Sequence, residues 1–194
     1  MRIILASNSP RRRELISKLG LAYIVKTLSI KEVYDKNISA FDNAVHTAEE
    51  KAKRVYTEGI DNDDIIIAAD TIVEFDGEVF GKPRDKKHAY YMLKALSANT
   101  HKVITGVSMM SKNKRESFYE TSLVEFAKLS DEEINHYIET GEPYDKAGAY
   151  GIQGKAGIFI KRISGCYYNI VGLPVNAVYK RLINVFGCDI KEIF

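Results

Sequence analysis

At 194 residues, with apolar residues at 45% and charged residues at 28%, the chain is long enough to bury a core as one large domain or two small lobes. A net charge of +2 argues against a bulk polyanion-binding surface, so any positive field must be local. Cys166 and Cys188 lack C-x-x-C spacing, no apolar run reaches membrane-spanning length, and "MRIILASNSPRRR" makes a poor signal peptide, which together argue against a structural zinc site, a disulfide framework, a membrane protein and a secreted one.

In chain order, "RIILAS" reads as a buried strand. Ser9-Pro10 then opens a helix, Ser as N-cap and Pro at the first helical position, with Leu15, Ile16 and Leu19 inward and Gly20 as its stop. "AYIVKTLSI" is strand-like. Phe41, Ala44, Val45, Ala48, Ala52 and Val55 recur at helical spacing, which predicts an amphipathic helix over Phe41–Tyr56. "DDIIIAAD" and "TIVEF" form a strand that turns at Asp76-Gly77 into the return strand "EVFGKP". A helix follows over Asp85–Leu96, then two strands around "SKNKR". A capping box at Ser130–Glu133 opens a short helix that ends near Gly141. "AGIFIKRISG" and "CYYNIVGLP" read as a strand pair, and a last helix runs from near Pro174 to about Phe186. Interleaved helices and strands, several joined by hairpins, predict an α/β or α+β fold with a mixed sheet flanked by helices.

Four segments carry chemistry. Arg11, Arg12 and Arg13 fall in the first turn of a helix, where the dipole disfavours cations and a phosphate would be welcome. Those side chains oppose the dipole and gain nothing structurally there; the alternative is a solvated basic turn. Asp70 closes a buried strand, a costly place for a carboxylate unless it is paired, hydrated or on a metal. The hairpin brings Lys82 roughly opposite it, which suits a metal–phosphate site or a structural ion pair. Lys51 flanks the apolar stripe of its helix and reaches a cleft or snorkels. The fourth segment is "GEPYDKAGAYGIQG", whose four glycines suit either a surface loop or a backbone that a ligand approaches closely. His46, His88, His101 and His136 have no metal-ligand spacing and read as surface or satisfied histidines. Walker A, G-x-G-x-x-G, G-x-S-x-G and H-E-x-x-H patterns are absent.

"LASNSPRRRELI", "AADTIVEFDGEVFGKPRD", "THKVITGV", "GEPYDKAGAYGIQG" and "NIVGLPV" occur in that order. Together they resemble the Maf family of nucleoside triphosphate pyrophosphatases, also described as septum-formation proteins. The resemblance covers nearly the whole chain and implies a single Maf-like domain over 1–194, of inosine triphosphatase-like fold, with two lobes about a nucleotide-binding cleft. It implies a cytoplasmic hydrolase that cuts a nucleoside triphosphate to the monophosphate and pyrophosphate with a divalent cation, Mg²⁺ or alternatively Mn²⁺. The implied partner is the nucleotide; nucleic acid and membrane are not expected, and a homodimer is left open. The motifs place substrate contacts on Ser7, Ser9, Arg11, Arg12, Asp145 and Lys146, base choice on Arg12, Thr71 and Gln153, and catalysis on Asp70, Lys51 and Lys82, with Asp70 and Glu32 near the metal. The "DKAGAYGIQG" loop resembles the branch acting on dTTP and UTP. Ala98 stands where the family usually has Gly, and Cys166 where it often has Ser. The competing reading is a nucleotide-binding regulator of cell division in which hydrolysis is incidental.

Overall fold

The computed structural model describes residues 2–28 and 34–193. Among them are seven strands, β1 (Arg2–Leu5), β2 (Tyr23–Val25), β3 (Asp64–Phe75), β4 (Glu78–Phe80), β5 (Thr100–Met110), β6 (Arg115–Phe126) and β7 (Ile160–Ser164). The helices are α1 (Pro10–Ser17), α2 (Ala40–Thr57), α3 (Lys86–Leu96), α4 (Asp131–Glu139), α5 (Tyr167–Val171) and α6 (Val175–Asn184). The strands form one mixed sheet in the order β2-β1-β3-β5-β6-β7, with β4 paired to β3, as the interleaved pattern predicts. No helix among the described residues is long and apolar enough to cross a membrane.

The chain divides into two compact units. The first comprises Met1–Asp70, Thr105–Glu120 and Gly172–Phe194. Here β1 runs parallel to both β2 and β3, with Arg2 opposite Asp64 and Leu5 opposite Ile67. Ile3, Ile4, Leu5, Ile66 and Ile67 are buried, which explains the unbroken apolar runs: a parallel strand covered on both faces has no polar side. The register is fixed at its start by a two-point pair, Arg2 Nε to Asp64 Oδ1 at 2.9 Å and Nη2 to Oδ2 at 2.8 Å. That bond holds the Asp64 carboxyl below its usual range.

The predicted amphipathic helix is α2, capped by Ser39 and burying Ala44, Ala48, Ala52 and Val55. Ala52 and Val55 pack with Ile4, Ala6, Ile66, Ala68 and Met110. Its close approach to β5 depends on Gly106, where an added Cβ would lie 2.3 Å from the Ala44 carbonyl. Small residues on both surfaces therefore set how deep α2 lies.

The second unit comprises Thr71–Ile104 and Thr121–Val171. Its hairpin pairs Val73 with Phe80 and Phe75 with Glu78. Asp76 and Gly77 both take positive φ, 51° and 78°, the conformation that matches the strand twist in a two-residue turn. Asp85 caps α3 through the His88 amide, and Ser130 and Glu133 form the predicted capping box of α4. Phe80, Met92, Leu93, Phe126, Ile134, Ile138 and Phe159 fill the core between them.

One element differs from expectation. "AGIFIKRISG" contains β7, antiparallel to β6, but Tyr167–Val171 is a helix, not its partner strand. Gly165 and Gly172, both at positive φ, bound it. Asn169 decides the matter: its side chain is buried and donates to the Val103 carbonyl and Ser122 Oγ, each at 3.0 Å. Four apolar and aromatic residues around one Asn carry no period that could have told helix from strand. Ala98 has φ 61°, a conformation that favours Gly and accounts for the glycine usual in the resembling family. At Cys166 the hydrogen bond uses the backbone carbonyl, which accepts from Ser122 Oγ at 2.9 Å.

Candidate active site

In the first unit, Ser7 and Ser9 follow the carboxyl end of β1. Ser9 accepts from the Arg12 amide and starts α1 as its N-cap. Ser7 is buried, and its Oγ accepts from the Ser9 amide at 3.2 Å and from Arg12 Nη1 at 3.4 Å. Arg11 and Arg12 are half-buried. Arg12 also donates from Nε to the Gly172 carbonyl at 2.8 Å. This corrects the expectation that the basic turn gains nothing structurally: Gly172 is 160 residues away in sequence, so no local signal could reveal it. These two contacts fix the direction of the guanidinium.

Continued past Leu5, the parallel register sets Asn8 level with Asp70. The basic turn and Asp70 therefore lie at the same end of the first unit's sheet, beyond the carboxyl end of β1, where α/β folds place ligands. Asp70 is buried at 4% exposure. Its Oδ1 accepts from Lys51 Nζ at 2.7 Å. Lys51 thus turns inward from α2, with its side chain only 15% exposed. The other oxygen, Asp70 Oδ2, is buried with no hydrogen-bond partner among the described residues.

A half-satisfied buried carboxylate is costly and calls for a further partner. No group of three or more His, Cys, Asp or Glu among the described residues could hold a metal. A hard divalent cation that takes one carboxylate plus phosphate oxygens and waters does fit this donor set. Glu32, the other expected acid, lies outside the described residues.

In the second unit, Thr71 is half-buried and Lys82 exposed. The β3–β4 pairing ends at Phe80, and its register, carried on, would set Lys82 against Thr71. The cation paired with Asp70 is instead Lys51. The glycine-rich stretch contains two 3-10 turns, Glu142–Asp145 and Ala147–Ala149, and a third, Lys155–Phe159, follows it. The Gly148 amide donates to the Gly81 carbonyl at 3.1 Å, which ties the stretch to the segment carrying Lys82. Asp145 and Lys146 pair with each other. Gln153 is exposed in a turn closed by the Gly154 amide on the Gly151 carbonyl at 3.0 Å.

His101 anchors this stretch from below. It is 2% exposed, and its Nε2 meets Tyr150 Oη at 2.7 Å. Its Nδ1 has no hydrogen-bond partner among the described residues, so an imidazolium there would bury an unpaired N–H. Burial pushes its pKa down from 6.5 to about 4. Its spacing is that of a surface or satisfied histidine, and nothing in it marks this burial.

Because the folded state resists protonation, this contribution to stability is present above about pH 6.5 and is lost as pH falls toward 4. It amounts to on the order of 3 kcal/mol across that window. Urea unfolding of the wild type and His101→Gln at pH 7 and pH 4.5 should show a shallower loss in the variant. Parallel losses would mean that His101 is not held neutral.

The profile of the family described as "Maf-like protein" matches residues 2–185. A dTTP/UTP pyrophosphatase of Bacillus pumilus is 46% identical over 185 residues, covering 95% of this chain and 96% of that protein. One from Alkaliphilus oremlandii is 51% identical over 175 residues, covering 89% and 90%. The structure of the Staphylococcus aureus Ham1 protein superposes with a TM-score of 0.53 at 16% identity, covering 94% of this chain and 98% of that one, a likeness of fold. Sequence similarity across the length of both the chain and its relatives, together with the ordered motifs at the sites described above, makes this chain a member of the Maf family.

Proposed function

We propose that the protein hydrolyses dTTP and UTP to the nucleoside monophosphate and pyrophosphate. The observation that carries this reading is the half-satisfied Asp70, one oxygen on Lys51 and the other open, at the same end of the sheet as the Ser7–Arg12 turn. The names of the relatives, dTTP/UTP pyrophosphatase, supply the substrate class.

In this reading Asp70 Oδ2 holds the attacking water and takes its proton as oxygen adds to the α-phosphorus. The bond from the α-phosphorus to the bridging oxygen breaks, and pyrophosphate leaves. Lys51 keeps Asp70 in place and offsets its charge. Arg11 and Arg12 bind phosphate oxygens, with Ser7 holding the Arg12 fork and Ser9 presenting the first amides of α1. Lys82 and Lys146 supply further positive charge for the polyphosphate, Asp145 orients Lys146, and Thr71 and Gln153 meet the base. A divalent cation, Mg²⁺ or Mn²⁺, would be held by Asp70 with Glu32, and would neutralise phosphate charge and lower the pKa of a bound water. The working compartment is the cytoplasm.

Incubation with dTTP, UTP, CTP and GTP, with products resolved by ion exchange, tests the reading. Monophosphate and pyrophosphate from the first two, lost in EDTA and restored by Mg²⁺, are expected. Diphosphate and orthophosphate would place the attack at the wrong phosphorus. Tight binding without turnover would favour the regulator of cell division.

A further inference from the structure

Glu142 opens the glycine-rich stretch, and its half-buried carboxylate is used at both oxygens. Oε1 accepts from Tyr137 Oη of α4 at 3.0 Å. Oε2 accepts from the Lys155 amide at 3.0 Å. Tyr137 is itself buried. Burial first, and then the Glu142 charge, push its pKa up, so the phenol keeps its proton and remains a donor. The turn Gly151–Gly154 is thus held just past Gly154 by Glu142, which Tyr137 in turn anchors to α4. Gln153 sits inside it.

Gly154 shows how tight this clamp is. Its φ of −99° and ψ of −157° suit any residue, so backbone conformation does not demand glycine. Space does: an added Cβ would lie 2.1 Å from Glu142 Oε1, 2.5 Å from Cδ and 2.6 Å from Oε2. The carboxylate fills the volume that a side chain at 154 would need. The turn's own hydrogen bond would close it without this contact; what the carboxylate adds is a fixed position against α4.

We propose that Glu142 is a specificity-positioning residue, whose carboxylate fixes the Gly151–Lys155 turn on α4 and so sets where Gln153 presents its amide to the pyrimidine edge. The inference rests on Gln153 reading the base, and it assigns Glu142 no contact with the nucleotide. Truncation at 142 therefore loosens the amide's placement, which costs discrimination between bases more than it costs the phosphate chemistry.

The test compares kcat/KM for dTTP and CTP, with Mg²⁺, in the full-length wild type and in Gln153→Ala, Glu142→Ala, Glu142→Gln, Gly154→Ala and the double variant Glu142→Ala/Gly154→Ala, alongside thermal melting. Glu142→Ala should lower the dTTP-to-CTP ratio about tenfold, with kcat for dTTP at saturation falling far less than kcat/KM. Gly154→Ala should give a similar loss, because its Cβ expels the carboxylate. The double variant should be no worse than Glu142→Ala, since the clash has gone; such non-additivity is the mark of direct coupling. Glu142→Gln, which keeps one acceptor, should recover part of the ratio. If Glu142→Ala does not fold, Gly154→Ala and Glu142→Gln carry the same comparison.

A ratio that collapses in Gln153→Ala but holds in Glu142→Ala and Gly154→Ala would overturn the positioning role and leave the base-reading role intact. Additive losses in the double variant would overturn it too. An unchanged ratio in Gln153→Ala would remove the base-reading role itself, and the positioning role with it.

Discussion

Asp70→Asn should lower kcat for dTTP by about a hundredfold or more in a protein that still folds. The substitution keeps the size of the side chain and an oxygen for Lys51 Nζ, now at 2.7 Å from Oδ1. It removes the charge that would draw a proton from water or hold a cation, and it places N–H donors where a buried acceptor now stands open. Two effects on stability oppose each other. An unpaired neutral amide at the Oδ2 position costs less than an unpaired carboxylate oxygen, but Lys51 loses its counter-charge in a largely buried setting. The net change in melting temperature is therefore small beside the change in rate. The measurement is single-turnover hydrolysis with circular-dichroism melting of the same sample. Near wild-type turnover in folded Asp70→Asn would take the proton-accepting role away from this residue.

Gln153→Glu should cut kcat/KM for dTTP and UTP by about a hundredfold and reduce CTP turnover less. Thymine and uracil present a 4-oxo acceptor beside an N3–H donor, and a neutral amide matches both. An ionised carboxylate accepts from N3–H but faces the 4-oxo group with no donor. Cytosine offers an amine to that carboxylate, although its bare ring nitrogen is repelled. Discrimination by a polar site can reach roughly 10⁴ when unpaired groups are dry. Gln153 is exposed, so water can compensate a mismatch in part, and the smaller figure is expected. Steady-state kcat/KM for dTTP, UTP, CTP and GTP on both proteins checks it. An unchanged ranking would mean that the base is read elsewhere.

Some features of this protein are written in a few adjacent residues. Ser9-Pro10 starts α1, Asp76-Gly77 turns the hairpin, and Ser130 with Glu133 caps α4. Each acts on its own backbone within one turn, so the chain next to it is enough to specify the outcome. The helical repeat from Phe41 to Val55 works in the same way and predicts α2 to within two residues at each end. The ordered motifs also carry the candidate residues, because residue type and sequence order belong to the sequence itself. Tyr167–Val171 marks the limit of this local code: its helix depends on Asn169 reaching Val103 and Ser122, 66 and 47 residues away.

The partners of the candidate residues were decided only in three dimensions. Hairpin geometry pointed to Lys82 as the cation near Asp70, yet the ion pair is with Lys51 of α2. That choice depends on how deeply α2 settles, which Gly106 permits by letting the Ala44 backbone lie where a Cβ would be. Arg12 depends on a carbonyl at Gly172, His101 on Tyr150, and the turn around Gln153 on Glu142 and Tyr137. Each pairing joins segments whose separation along the chain says nothing of their separation in space. The sequence by itself determined the local elements and the inventory of charged and polar groups. Tertiary packing decided which of those groups meet, because a buried polar atom takes the partner that close packing brings within about 3 Å.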